Sequence, residues 1–340
     1  MSEPQVSVIV LNYNGKPFLD ACVASLEAQT FQDFELILVD NASQDGSWDH
    51  MVAKWEDRHL LINNETNLGY AEGNNVGLRR ARGRFLVVLN NDTEVAPNWL
   101  EELVNAADQY PDYGMFASQI RSYSAPEVLD TIGVILYRDG MSRGLGRLEP
   151  AARYEEPRDV FAPSGCAGFY RREMLEAVGF FEKDYFAYCE DTDLGFRGQL
   201  AGFRCRYVPT ARVYHHYSAT AGKYSPLKAY LVERNHLYLR VRLFPKRMLL
   251  MSPFYTLARY ALQAYGVFSG KGAAGKFTES APATDLIAIL VKAYLHAFIH
   301  LPALLRQRKE IARIRRASSR EISSWFDRFS ISARELALKD

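Results

Sequence analysis

The sequence is poor in several of the features that most quickly give a function away. Its four cysteines, Cys22, Cys166, Cys189 and Cys205, form no CxxC pair and have no zinc-ligand spacing, so they read as reduced, structural thiols without chemistry. Net charge is only +1, which excludes general nucleic-acid binding, where a strong basic excess supplies the phosphate affinity. No GxGxxG opens the first helix, which excludes a dinucleotide-binding dehydrogenase, and no GxxxxGK[ST] phosphate loop is present. Apolar runs stop short of the roughly 18 uncharged residues of a membrane span, Arg259 and Lys292 interrupting the two best. Met1 to Gln5 lack the basic and apolar regions of a signal peptide, so a cytoplasmic location is expected.

What is present is a folded composition, 48% hydrophobic and 24% charged over 340 residues, with room for one large domain and an addition of roughly 100 residues. β-branched runs at Val6–Leu11, Phe34–Val39, Leu60–Ile62 and Phe85–Leu89 alternate with helical spacing at Pro17–Ala28, from Ser47 through Trp55, and up to about Ala81. Short connections and right-handed crossovers predict an α/β fold with a mostly parallel, doubly wound sheet. Asn12, Asp40, Asn67 and Asp92 then gather along the carboxyl edge of that sheet, where ligands bind.

Asn90-Asn91-Asp92 ends the fourth strand and, read alone, fits either a turn with a helix cap or a carboxylate ligand for a hard divalent cation carrying phosphates. Downstream, Arg138 to Arg147 reads as a mobile Gly/Arg loop, either a solvated insertion or a lid. Glu190, Asp191 and Asp193 open a helix, where acids complement the dipole, and Arg197 pairs with Asp193 at i,i+4. Aromatic neighbours there would desolvate a carboxylate and raise its pKa, which suits a general base. His215-His216 reads as packing or as metal ligation. Pro226–Leu243 is one long helix, and helices follow from Met248. A helix over Ala283–Leu305 keeps Lys292, His296 and His300 in one polar row, the two histidines having zinc-pair spacing but no third ligand. Arg306, Arg308, Lys309, Arg313, Arg315, Arg316 and Arg320 crowd the next segment against the single acid Glu310, so this end is expected to face an anionic membrane surface or a subunit.

Five motifs in order resemble one family: Val-Ser-Val-Ile-Val-Leu-Asn-Tyr-Asn-Gly (6–15), Val-Asp-Asn-Ala-Ser-Gln-Asp-Gly-Ser (39–47), Asn-Leu-Gly-Tyr-Ala-Glu-Gly-Asn-Asn (67–75), Leu-Asn-Asn-Asp (89–92) and Tyr-Cys-Glu-Asp-Thr-Asp-Leu (188–194). The chain resembles the inverting GT-A glycosyltransferases of family 2, in particular bacterial rhamnosyltransferase-like members, over residues 5–245. The resemblance implies a GT-A domain at 1–245 and a helical extension at 246–340. It implies Asp40 on the imide hydrogen of a uracil or thymine base, with Asn12, Asn67, Asn90 and Asn91 also on the donor side. Asp92 would ligate Mg2+ or Mn2+ with His215 as a further ligand, Asn90 standing where the family has its first Asp. Asp191 would be the catalytic base, with Glu190 and Tyr188 toward the acceptor.

The implied activity is transfer of a sugar, rhamnose from dTDP-rhamnose or another from a UDP-sugar, to a lipid-linked or saccharide acceptor in polysaccharide synthesis. The enzyme would sit peripherally at the inner face of the cell membrane, with homo-oligomerisation left open and no nucleic-acid partner. Two rivals differ in class. A sugar-nucleotide pyrophosphorylase needs a Gly-rich, Arg-bearing loop after the first strand, which Asn12-Tyr13-Asn14-Gly15 is not. A sugar-nucleotide or glycan-binding protein without catalysis does not need both Asp92 and Asp191.

Overall fold

The computed structural model describes residues 3–216, 225–277 and 282–339. The chain divides into two compact units, residues 1–134 with 144–220 and residues 135–143 with 221–340. The helix Pro226–Leu243, which the family resemblance groups with the first domain, clusters with the C-terminal helices.

The first unit is built on β1 (Val6–Asn12), β2 (Phe34–Asp40), β3 (Leu60–Asn63) and β4 (Phe85–Asn90), connected through α1 (Lys16–Glu27), α2 (Ser47–Trp55) and α3 (Gly69–Leu78). β5 (Thr93–Val95), α4 (Trp99–Gln109), β6 (Tyr113–Ser122) and β7 (Leu129–Thr131) follow. β8 (Val134–Leu136) and β9 (Ser142–Gly144) bracket the segment that belongs to the second unit and form a separate two-stranded sheet. β10 (Arg158–Val160), β11 (Ala167–Arg171), α5 (Arg172–Val178), α6 (Glu190–Leu200) and β12 (Arg204–His215) complete the first unit. Its sheet order is β10-β12-β6-β11-β4-β1-β2-β3, with β5 on β12 and β7 on β6. β1 to β4 are mutually parallel, whereas β11 runs antiparallel between β4 and β6.

β-branched side chains suit the pleat, and successive residues face opposite layers. Val6, Val8 and Val10 pack with Leu19, Val23 and Leu26 of α1, and Trp99 and Leu103 of α4 join the same core. On the other face Ile9 and Val39 approach α3 at Gly77, where a Cβ would come within 2.6 Å of the Ile9 side chain. The residues around Pro209 form the single strand β12. Its register slips between Val208 and Arg212, and a bulge there accommodates the proline, which cannot donate to a ladder.

The second unit contains α7 (Pro226–Leu243), α8 (Lys246–Ser269), α9 (Gly272–Phe277), α10 (Ala283–Ile299), α11 (Leu301–Ile314), α12 (Ser319–Arg328) and α13 (Ala333–Leu338). Ser318/Glu321 and Ser332/Glu335 make capping boxes that start the last two helices. The expected helix Ala283–Leu305 is two, bent by 62° at His300. Pro302 opens the second one, because it lacks an N–H and clashes with the carbonyl four residues back. No single helix among the described residues is long and apolar enough to cross a membrane; only the bent pair α10–α11 reaches that length and composition together.

The Gly/Arg loop is neither solvated nor loose. Ile135–Arg143 belongs to the helical unit, where Asp139 is fully buried and accepts from Arg259 Nε at 2.7 Å. Arg259, also fully buried, donates to Glu233 at 2.7 and 3.2 Å, and Arg143 donates to the carbonyls of Glu335 and Lys339. A buried guanidinium without partners would be far too costly, so the loop is held by charge. His236, buried beside this cluster, has its pKa lowered from 6.5 to about 4, mainly by desolvation of the imidazolium, with Glu233 opposing and Arg259 and Arg240 adding to the shift. Between those two values the unfolded chain takes up a proton that the folded one refuses, so stability falls as pH falls. The helical unit is expected to lose about 3 kcal/mol across that window, and His236→Gln to flatten the loss in urea titrations at a series of pH values.

Candidate active site

The parallel register brings the polar strand ends level. Asn12 of β1 lies opposite Asp40 of β2, and Leu11 opposite Asn90 of β4. Asn12 is fully buried and both its amide hydrogens are used: Nδ2 donates to Asp40 Oδ1 (2.9 Å) and Ser43 Oγ (3.0 Å), and Oδ1 accepts from Asn91 Nδ2 (2.6 Å). It holds Asp40 and Asn91 in place relative to each other. Asp40, also fully buried, receives the Ser43 amide on its other oxygen at 2.9 Å and keeps lone pairs on both.

Next to it Asn41, on which the sequence alone places no role, ties the third strand end to this group. Its Nδ2 donates to Asn67 Oδ1 (2.9 Å), and its Oδ1 accepts from Asn64 Nδ2 (3.0 Å) and the Leu68 amide (3.1 Å). Asn67 stays exposed at the edge. The motif around Asp40 contained the clue, since an Asn directly after a buried strand-end carboxylate has neighbouring strand ends within reach.

Asn90 is half-buried, and Asn91 and Asp92 are buried. Asn90 N donates to the Cys166 carbonyl (2.9 Å), fixing the end of β4 against the segment that enters β11. Asp92 Oδ1 lies 3.3 Å from His215 Nε2, because β5 and the end of β12 pair with Thr93 opposite His215. His215 Nδ1 is 2.8 Å from Asp130 Oδ2, and Asp130 Oδ1 accepts from Arg147 at 2.9 Å. Burial alone would lower the His215 pKa, but Cys166, Asp130 and Asp92 outweigh it and hold the imidazole proton well above its ordinary range. Nothing in the sequence marked Asp130, which is 85 residues from its partner. His216 turns away and stacks on the Tyr123 ring. Cys22 is inert, its pKa pushed up to about 12 by burial.

A carboxylate and an imidazole sharing one spot, with the second ring nitrogen held by another carboxylate, is the donor arrangement of a metal-binding histidine. Among the described residues no group of three His, Cys, Asp or Glu side chains could hold an ion alone. Asp92 and His215 fit a hard cation whose remaining ligands are phosphate and water oxygens.

The acidic motif lies on the same unit. Asp191 Oδ2 accepts from the Gly165 amide (3.0 Å), one residue from the Cys166 carbonyl that holds Asn90, and Oδ1 accepts from Thr192 N (2.6 Å). Burial raises its pKa, against the pull of those amides. Glu190 is 6% exposed, its Oε2 has no hydrogen-bond partner among the described residues, and burial followed by the Asp191 charge pushes its pKa well above the carboxylate range. Asp193 is structural as expected, paired with Arg197 at 2.7 Å and bonded by Tyr185. Phe186, Tyr188 and Cys189 all have positive φ, 65°, 69° and 67°, and the half-buried Tyr188 stands two residues before α6. Such strained backbone clusters at functional sites. Gly69, itself at φ 76°, leaves room for the Phe186 carbonyl, which accepts from Ala71 N at 3.0 Å and so joins the Asn67 segment to the acidic loop.

The family description "Glycosyl transferase family 2" matches residues 7–179. An N-acetylglucosaminyl-diphospho-decaprenol L-rhamnosyltransferase of Mycobacterium tuberculosis is 31% identical over 242 residues, 64% of this chain and 77% of that protein. An O-antigen biosynthesis protein of Myxococcus xanthus is 31% identical over 228 residues, 64% of this chain and 18% of that protein. Among solved structures, a mannosyltransferase from Pyrobaculum calidifontis in complex with GDP-Man and Mn2+ superposes with TM-score 0.52 at 19% identity, over 92% of this chain and 86% of that one. GalNAc-T7 with UDP, GalNAc and Mn2+ gives 0.60 at 18% identity, over 88% and 58%. With its motifs set on one sheet edge and its sequence matched over half its length, the chain belongs to glycosyltransferase family 2 and has the GT-A fold.

Proposed function

We propose that this transferase moves rhamnose from dTDP-rhamnose, with inversion, onto a lipid-linked saccharide during cell-surface polysaccharide synthesis. The mycobacterial relative, named for L-rhamnosyl transfer to a decaprenol-linked sugar, supports both sugar and acceptor class. The observation that carries the mechanism is Asp191, pinned by the Gly165 amide in the same segment that fixes Asn90 at the donor end. Asp191 takes the acceptor hydroxyl proton as that oxygen attacks the anomeric carbon opposite the leaving diphosphate. Glu190 and Tyr188 border the acceptor. Asp40 accepts the imide hydrogen of the base, and Asn67, Asn90 and Asn91 line the donor.

Asp92 and His215 hold Mg2+ or Mn2+, a reading supported by the Mn2+ in the solved neighbours. When bound there, the ion supplies Lewis-acid stabilisation of the departing diphosphate, so no protein acid is needed on that side. The Asp40 contact serves uracil as well as thymine, and a UDP-sugar is the competing donor.

Asp191→Asn is expected to lower kcat by about 10²- to 10⁴-fold while calorimetric donor affinity stays unchanged; normal turnover would remove the base assignment. Because the Asp191 pKa is raised and only its ionised form accepts a proton, wild-type kcat should fall on acidification above the ordinary carboxylate range. Asp92→Ala should abolish metal-dependent donor binding, and in the wild type metal affinity should rise with pH, since His215 must lose its proton to ligate. In a thermal-shift panel with Mn2+, dTDP-rhamnose should stabilise the fold more than UDP-sugars do; the reverse order assigns the donor to uridine nucleotides.

A further inference from the structure

Two helices of the second unit have their polarity reversed relative to a helix in water. On α8 the inward positions are Ser252, Thr256 and Arg259, all buried, spaced i, i+4 and i+7. They are satisfied within the unit: Arg240 donates to the Thr256 hydroxyl at 2.9 Å, and Arg259 binds Glu233 and Asp139. The outward positions are Leu250 (75% exposed), Phe254 (65%), Leu257 (64%) and Phe268 (90%).

α10 repeats the arrangement. Its polar row leans on α7, with Lys292 Nζ 4.8 Å from the Tyr230 ring centroid, His296 bonded to the Tyr230 hydroxyl and His300 against the Tyr238 ring. That leaves Ile287, Val291, Leu295 and Phe298 outward, each more than half exposed. A solvated helix turns its apolar stripe inward. Two in one unit doing the opposite mark an outer medium that is apolar, with eight large apolar side chains at these outward positions.

We propose that the outward faces of α8 and α10 seat the helical unit on an anionic lipid bilayer, lying in the plane of its interface. Charge favours this occupant. Arg306, Lys309, Arg313, Arg316 and Arg320 are all exposed after the bend at His300, and Lys246 and Arg247 are exposed at the start of α8. Anionic headgroups complement both the stripe and its basic flank. A second copy of the chain would offer the same cations as well as the same apolar face. At 1.5 Å per residue α10 spans about 26 Å, short of a hydrocarbon core of about 30 Å, which suits an interfacial helix rather than a spanning one. The proposal is independent of the donor sugar and the metal.

The test is flotation of the full chain with phosphatidylcholine vesicles, with and without phosphatidylglycerol, beside sedimentation without lipid. Wild type should float with the anionic vesicles. The triple variant Leu257→Glu, Phe268→Glu, Phe298→Glu should bind at least about tenfold more weakly while keeping its helical circular dichroism and its turnover of a water-soluble acceptor. The charge test combines Arg306→Glu with Lys309→Glu, a pair that should weaken binding only to anionic vesicles. Wild type that fails to float, or a triple variant that floats like wild type, overturns the proposal. So does a dimer in lipid-free buffer that the triple variant converts to monomer while wild type ignores vesicles.

Discussion

The buried amide of Asn12 is the contact on which the candidate site depends. One side chain reads the ends of three strands: it donates to Asp40 of β2, accepts from Asn91 beyond β4, and sits itself at the end of β1. All of this happens at complete burial, where an unmet polar atom is costly. The strand ends are therefore set relative to one another before any ligand arrives. Asn41 extends the same device to the Asn67 segment, and Asn90 extends it through Cys166 to the segment carrying Gly165. The strand-end cluster and Asp191 are thus joined by short polar links on one sheet.

The acidic loop shows how strain is accommodated around that frame. Three residues with side chains take left-handed backbone within Phe186 to Cys189, and the loop stays in place because its neighbours hold it. The Phe186 carbonyl is bonded by Ala71, Tyr185 bonds Asp193, and Asp193 is locked by Arg197. The result presents Glu190 and Asp191 together at the start of α6, both with raised pKa, in surroundings that differ in one respect. Asp191 receives amide hydrogens that favour its charge, whereas Glu190 Oε2 receives none from the described residues.

The helical unit obeys a different rule. Its interior holds a charged cluster, Arg259 between Glu233 and Asp139, beside buried apolar side chains such as Leu239, Phe244 and Phe326, while α8 and α10 leave large apolar side chains exposed. The buried ion cluster recruits Ile135–Arg143 from the middle of the chain, so that loop is part of a folded unit far from it in sequence.

The βα alternation, the parallel sheet and the residues that end its strands were legible in the chain, because unbroken β-branched runs and the polar residues that stop them are local properties. The sequence also marked Asp40, Asp92 and Asp191, since each lies beside a strand end or a helix start that its neighbours define, whereas His215 is singled out through the family resemblance. Only the tertiary structure decided that Asp130 holds His215, that the Asn12 amide is spent on positioning, and that β12 is one bulged strand. It alone turned Lys292, His296 and His300 toward α7 and broke their helix at His300. Those outcomes depend on which elements meet across long stretches of chain, as with His215 and Asp130 at a separation of 85, and on which helix face finds a partner. A local pattern specifies a stripe; packing decides whether that stripe faces in or out.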